Sequence, residues 1–239
     1  MEISERQRTI LDTIIREYVE SARPVSSQYL GERYDFGICP ASIRIEMQKL
    51  TDDGFLTQPH TSAGRIPTDR GYRLFVDEVL KDKSQRNPSG KLDFGFEGLE
   101  DDFEDIFKIA NSLAHSLAAA SSSLVLGYLC RQDLMIKDGW EDLLQKPEFG
   151  ERDLVENFIG YLGYLEDSVK TRKPMNEGMD IYIGKENCFD KADEFAAITF
   201  ICRPDRENET VFSIVGPKRM AYDKNIELIN EALKMFENI

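Results

Sequence analysis

Prolines and glycines cut the N-terminal third of the chain into pieces that leave room for little but short helices. Pro24, Gly37, Pro40 and Gly54 stand there in order. A proline disfavours helix in the residue before it and suits the first turn of the next helix. Glycine ends a helix. Between these marks the apolar residues recur at helical period. Ser4 and Gln7 have the spacing of a capping box, and Ile10, Leu11, Ile14, Ile15 and Tyr18 form a stripe that must end by residue 23. Ser26 and Ser27 are N-cap candidates for a helix to about residue 33, with Tyr29 and Leu30 inward. Pro40 opens a third helix with Ile43, Met47 and Leu50 on one face, and Gly54 closes it. Residues 55–58 read as a short extended run and 60–64 as a turn-rich loop. Residues 65–67 return as an edge strand, where a proline is tolerated. Asp69 then caps a helix to about residue 81. Three helices, a hairpin and a closing helix predict a winged helix-turn-helix domain over residues 1–81.

Residues 82–98 are polar and contain Asn87, Pro88, Ser89 and Gly90, which predicts a linker. Residues 97–105 hold six acids, placed to form the first turn of a helix, where the helix dipole favours negative charge. Residues 109–130 lack Asp, Glu, Lys and Arg but carry serines, an asparagine and a histidine. That is too polar for a lipid-facing helix, so a buried helix running into a strand over 124–129 is expected. A helix over 153–169, β-rich runs over 179–184, 195–202 and 210–216, and a closing helix over 223–238 complete the pattern. Its core stripe is Ile226, Ile229, Leu233 and Phe236. Residues 99–239 are thus an α+β domain on an antiparallel sheet.

Catalytic signals are absent from the pattern, and the expectation is a protein that is not an enzyme. No nucleophile elbow, zinc-protease motif or phosphate loop occurs. Cys39, Cys130, Cys188 and Cys202 form no C-x-x-C pair, and His60 and His115 are the only histidines. No metal site and no cofactor are expected. His60 reads as a turn residue and His115 as a packed interface histidine. The N-terminus lacks the basic-then-apolar plan of a signal peptide, which points to a cytoplasmic chain.

The net charge of −14 argues against a whole-protein attraction to nucleic acid. Its distribution is uneven. Residues 1–86 hold 13 basic and 14 acidic residues, and residues 87–239 hold 17 and 30. The near-neutral module can bind DNA if its cations share a face. The acidic half, repelled by its own charge, is expected to open first on heating. With Ile43, Met47 and Leu50 inward, Ala41, Ser42, Arg44, Ile45, Gln48 and Lys49 point outward at 100° per residue. Small residues let a helix enter the major groove, and Arg or Gln bond base edges. An ordinary solvated face carries the same residue types. His60, Arg65, Arg70 and Arg73 add cations in and after the turn.

Residues 38–50 and 58–73 resemble the heat-inducible transcription repressor family HrcA, and the string from His60 to Thr68 is highly specific for it. Glu5 to Gln7, Pro24 to Ser27, Leu143 to Phe149, Ile183 to Asn187 and Val215 to Tyr222 match further signatures in order. The resemblance implies a dimeric winged-helix repressor of chaperone operons. It implies an inverted-repeat operator of double-stranded DNA, a GAF-like second domain, and a GroEL-type chaperonin that maintains the active form. Arg44, Gln48 and Ser42 would face bases. Lys49, Thr61 and Arg65 would hold phosphates or the wing groove, and Pro40 and Ala41 would allow close approach. Ser27, Ile45, His60 and Arg73 complete the candidate DNA-binding set. Members carry more sequence before the 124 strand, including a dimerisation insert. Here a helix over 103–120 stands in its place, and its uncharged, Ala-, Ser- and Leu-rich part from Ile109 to Ala120 is the candidate dimer element. Residue 45 is commonly asparagine in the family and is isoleucine here. A small-molecule-responsive regulator with a GAF-like pocket and a protein-interaction adaptor are the alternative readings. No membrane partner is expected.

Overall fold

The computed structural model describes residues 3–82, 103–171, 178–203 and 209–236. Residues 83–102, which hold most of the predicted linker and acidic run, lie outside the described residues, as do residues 237–239 and the Phe236 side chain. The chain divides into two compact units, Met1–Gln85 and Arg86–Ile239. Among the described residues no helix is long and apolar enough to cross a membrane.

In the first unit α1 spans Glu5–Ser21, α2 Ser27–Arg33 and α3 Pro40–Asp52. The capping box forms: Ser4 Oγ accepts from the Gln7 N–H, and the Ser4 N–H donates to Gln7 Oε1 at 2.9 Å. Ile10, Ile14, Leu30, Ile43, Leu50 and Val76 have no exposed surface and form the core. Strands β1 (Leu56–Thr57) and β2 (Ile66–Pro67) pair antiparallel, and α4 runs Asp69–Asp82. Glycine is required where α2 crosses α3, because a Cβ on Gly31 would stand 2.7 Å from Pro40 Cγ.

One expectation is narrowed here and two need correction. Ser26 is the cap of α2, and Ser27 is its first helical residue. Tyr29 is not inward but 38% exposed, because its hydroxyl reaches back to Glu17 on α1 at 2.5 Å. Thr68, not Asp69, caps α4: its Oγ1 accepts from the Gly71 N–H at 3.2 Å and donates to the Gly54 carbonyl at 2.7 Å.

The second unit is α+β. Helix α5 (Phe103–Ser121) precedes β3 (Leu124–Leu129), β4 (Leu134–Asp138) and the short α6 (Trp140–Leu144). Then come α7 (Arg152–Thr171), β5 (Met179–Ile183), β6 (Phe195–Cys202), β7 (Thr210–Pro217) and α8 (Tyr222–Phe236). The five strands form one antiparallel sheet in the order β4-β3-β7-β6-β5. Both faces are covered, and side chains alternate between them. Leu124, Leu126, Phe195, Ala197 and Val215 meet Phe158, Tyr161, Leu162 and Leu165 of α7 on one face. The Phe158 ring meets those of Phe149 and Phe195 edge-on at 5.1 Å. Within the sheet the Thr199 and Ser213 hydroxyls share a buried hydrogen bond of 2.8 Å. On the other face lie α5 and α8.

Helix α5 uses its small and apolar residues against its own sheet. Ala110, Leu113, Ala114, Leu117 and Ala118 are buried, and the helix packs on β3, β4, β7 and α8. Lys108, Asn111 and His115 face outward. The face that carries these residues is therefore occupied within the chain, while Ala119 stays exposed on the outer face with Asn111 and His115. His115 is not packed either; its exposed ring places Nδ1 3.0 Å from Asp138 Oδ2. A cavity of about 20 Å³ between α7 and β5–β6 is lined by Tyr164, Ser168, Tyr182 and Thr199 among others, with room for about one water.

Candidate nucleic-acid interface

Pro40 starts α3 because its missing N–H is not needed there, and Cys39 is the cap position without a side-chain cap bond. The Cys39 thiol lies 3.4 Å from Ser42 Oγ, and that hydrogen bond holds it below its ordinary value. Beyond this turn Pro40, Ala41, Arg44, Ile45, Gln48 and Lys49 are exposed and Ser42 half-buried, as the helical wheel predicts. Ile45 is 57% exposed, a large apolar side chain at the centre of the strip. No hydrogen bond or ion pair to another described residue engages Arg44. Lys49 Nζ pairs with Glu46 at 2.9 Å.

The loop between β1 and β2 is internally built. Gln58 Nε2 donates to the carbonyls of Thr61 and Ala63, each at 2.9 Å. The Ala63 N–H donates to the His60 carbonyl at 2.8 Å, and Ser62 Oγ lies 3.3 Å from His60 Nδ1. This presents exposed His60 and Thr61 at the tip. At its base the Arg65 guanidinium is bound to α3, with Nε donating to Thr51 Oγ1 at 3.0 Å and Nη2 to Gln48 Oε1 at 2.9 Å.

The remaining cations lie after the turn, on α4. Arg70 lies over the Phe55 ring at 4.5 Å and donates to the Asp53 carbonyl at 2.8 Å. Arg73 sits within α4 and pairs with Asp77 one turn on at 3.7 Å, so it follows the helix rather than the loop. Ser27, half-buried, opens α2.

Sequence reasoning missed Glu17. It is 7% exposed and accepts hydrogen bonds from the Tyr29 and Tyr34 hydroxyls, with Arg33 Nε at 3.8 Å. The Tyr29 bond first, then the Tyr34 bond, hold its carboxyl below the ordinary value despite burial, and both tyrosines are raised in turn. The signal was present: Ile10, Ile14 and Glu17 follow the inward spacing of α1. The cluster ties α2 and the segment leading into α3 to α1.

The family described as HrcA protein C-terminal domain matches residues 76–226. Among the curated relatives, the heat-inducible transcription repressor HrcA of Natranaerobius thermophilus is 58% identical over 80 residues, 34% of this chain and 23% of the relative. That of Streptomyces avermitilis is 44% identical over 104 residues, 44% of this chain and 31% of the relative. These alignments span less than a third of either relative. The repressor of Thermoanaerobacter pseudethanolicus is 24% identical over 335 aligned positions, covering 100% of this chain and 97% of the relative. Those 335 positions exceed the 239 residues here, which is consistent with a shortened middle region. A crystal structure of a hypothetical protein shares the fold over 99% of this chain and 98% of its own, with a TM-score of 0.75 and 21% identity.

Proposed function

The chain belongs to the HrcA family, and on that premise we propose that it is a cytoplasmic, DNA-binding transcriptional repressor of heat-shock genes rather than an enzyme. Residues 1–81 act as a winged helix-turn-helix, 82–98 as a linker and 99–239 as a GAF-like dimerisation and regulatory domain. The strand order β4-β3-β7-β6-β5 with helices on both faces supports the GAF-like reading. The partners are an inverted-repeat operator, a second copy of the chain and a GroEL-type chaperonin. An inverted repeat needs two-fold symmetry in the protein.

The observation that carries this reading is the exposed outer strip of α3 beside the built loop after β1. Pro40 and Ala41 allow close approach, Ser42 faces bases, and Arg44 is uncommitted and long enough to meet a guanine edge. Ile45 offers an apolar contact to a thymine methyl. Lys49, His60 and Thr61 approach phosphates. A ligand-sensing role gains no support from the 20 Å³ cavity.

Binding of selected and random duplexes tests the reading. Arg44→Ala should weaken the selected duplex by about 1–3 kcal/mol and relax choice at one position per half-site. Lys49→Ala should weaken both duplexes alike and lower the salt slope by about one. Equal effects of Arg44→Ala on both duplexes would remove the base-reading role.

A further inference from the structure

One side chain joins the wing to the recognition helix, and it is a cation that a DNA-binding reading would otherwise assign to phosphate. The main chain of Arg65 is fixed first. Its N–H donates to the Val25 carbonyl at 2.8 Å, and its own carbonyl accepts from the Val25 N–H at 2.9 Å. The neighbouring Gly64 lies so close that a Cβ there would stand 2.3 Å from the same Val25 oxygen. From this anchored position the guanidinium forks onto α3, to Thr51 Oγ1 and Gln48 Oε1. Thr51 Oγ1 donates its own proton to the Met47 carbonyl at 2.8 Å, which turns its lone pairs toward Arg65. The Gln48 amide completes the chain through Nε2, which donates to Asp52 Oδ1 at 2.8 Å.

An isolated glutamine on a helix surface can turn its amide either way. Here the oxygen faces a cation and the nitrogen faces a carboxylate, so charge decides the orientation. Arg65 and Asp52 use one lone pair and one N–H. One lone pair and one N–H remain, the pair with which glutamine meets an adenine edge in the major groove. Ordering the side chain before binding also removes rotamer freedom that the complex would otherwise have to freeze.

We propose that Arg65 is a positioning residue for sequence reading, which sets the direction of the Gln48 amide toward an adenine edge and locks the wing to α3, and that phosphate neutralisation is not its role. This rests on the DNA-binding reading above.

The test uses the full chain, duplexes that the wild type selects from a random-sequence library, and a scrambled duplex of the same composition, titrated across salt. Arg65→Lys keeps the charge and removes the fork. The ratio of selected to scrambled affinity should fall about tenfold, while the slope of log affinity against log salt stays at the wild-type value. Thr51→Val alters no charge, removes the Nε acceptor and should lower the ratio in the same direction. In a Gln48→Ala background, Arg65→Lys should change the ratio no further. Unchanged ratios in Arg65→Lys and Thr51→Val, with Arg65→Ala weakening both duplexes equally and lowering the salt slope by about one, overturn the inference and make Arg65 a phosphate contact. A wild-type chain that selects no duplex overturns the DNA-binding reading itself, and the role of Arg65 with it.

Discussion

Glu17 in the first unit and the Thr199–Ser213 pair in the second are both buried polar groups, and they hold their surroundings by different means. Glu17 is charged and gathers side chains from outside its own helix: Tyr29 and Arg33 of α2 and Tyr34 beyond it. The two hydroxyls in the second unit are neutral and bond across adjacent strands that the ladder has already aligned. Packing does the positioning there, through rings such as Phe158 against Phe149 and Phe195. The same contrast extends to the surface, where Arg65, Gln48 and Asp52 form a chain between loop and helix. In the first unit a charged group joins elements beside the apolar core, whereas the second unit's neutral pair lies within a sheet that packing already holds. Each should fail under a different kind of change.

The largest effect is expected from Phe158→Ala. Removing a fully buried ring costs about 3–5 kcal/mol, and residue-resolved hydrogen exchange should show the loss confined to residues 103–236. Along a temperature ramp the wild-type protein should open in the same order, with the acidic half first and the variant advancing it. Loss of protection in residues 3–82 before residues 103–236 would break the comparison. Gly64→Ala comes next. The added Cβ meets main-chain oxygen rather than a movable side chain, so a cost of about 3 kcal/mol is expected, at the upper end for overpacking. The Val25 and Arg65 amides should exchange faster while the second unit is unchanged.

Glu17→Gln should cost about 2 kcal/mol by replacing a charged acceptor of two hydroxyls. It also carries the pH test. A carboxyl whose folded value lies below 4.5 contributes stability that is present above that value and is lost as pH falls toward the folded one. Denaturant melts of the wild type should therefore weaken in the first unit as pH falls below 4.5, and Glu17→Gln should flatten that decline. The smallest effect belongs to Arg152→Ala. The Arg152–Glu156 pair is exposed on α7, and its loss should stay within about 0.5 kcal/mol. A larger loss would mean that surface charge orders the second unit as well.

The helices of the first unit were legible because their limits are local: a capping box, a proline at the first position and a glycine after the last turn act over a few residues. The outer strip of α3 was legible for the same reason, since a helical wheel needs only spacing. What those side chains do to one another was not. Gln48 and Arg65 lie 17 residues apart in the chain and meet only because the hairpin returns over α3. Strand β4 escaped notice because only Ile136 of its five residues is buried, which leaves no alternation to read. The small residues of α5 suit any close packing surface, so spacing alone does not say that Ala110, Ala114 and Ala118 meet the helix's own sheet.

Among the described residues β4 and β5 are the outer strands of that sheet. Both are five residues long. Strand β4 ends in Lys137 and Asp138, and β5 carries Asp180. An open strand is a template for another copy unless it is short or charged, and these are both. On β4 both charges are already engaged within the chain, Lys137 with Glu166 at 2.6 Å and Asp138 with His115 at 3.0 Å. Shortness and charge thus guard the rims of this sheet against pairing with another copy.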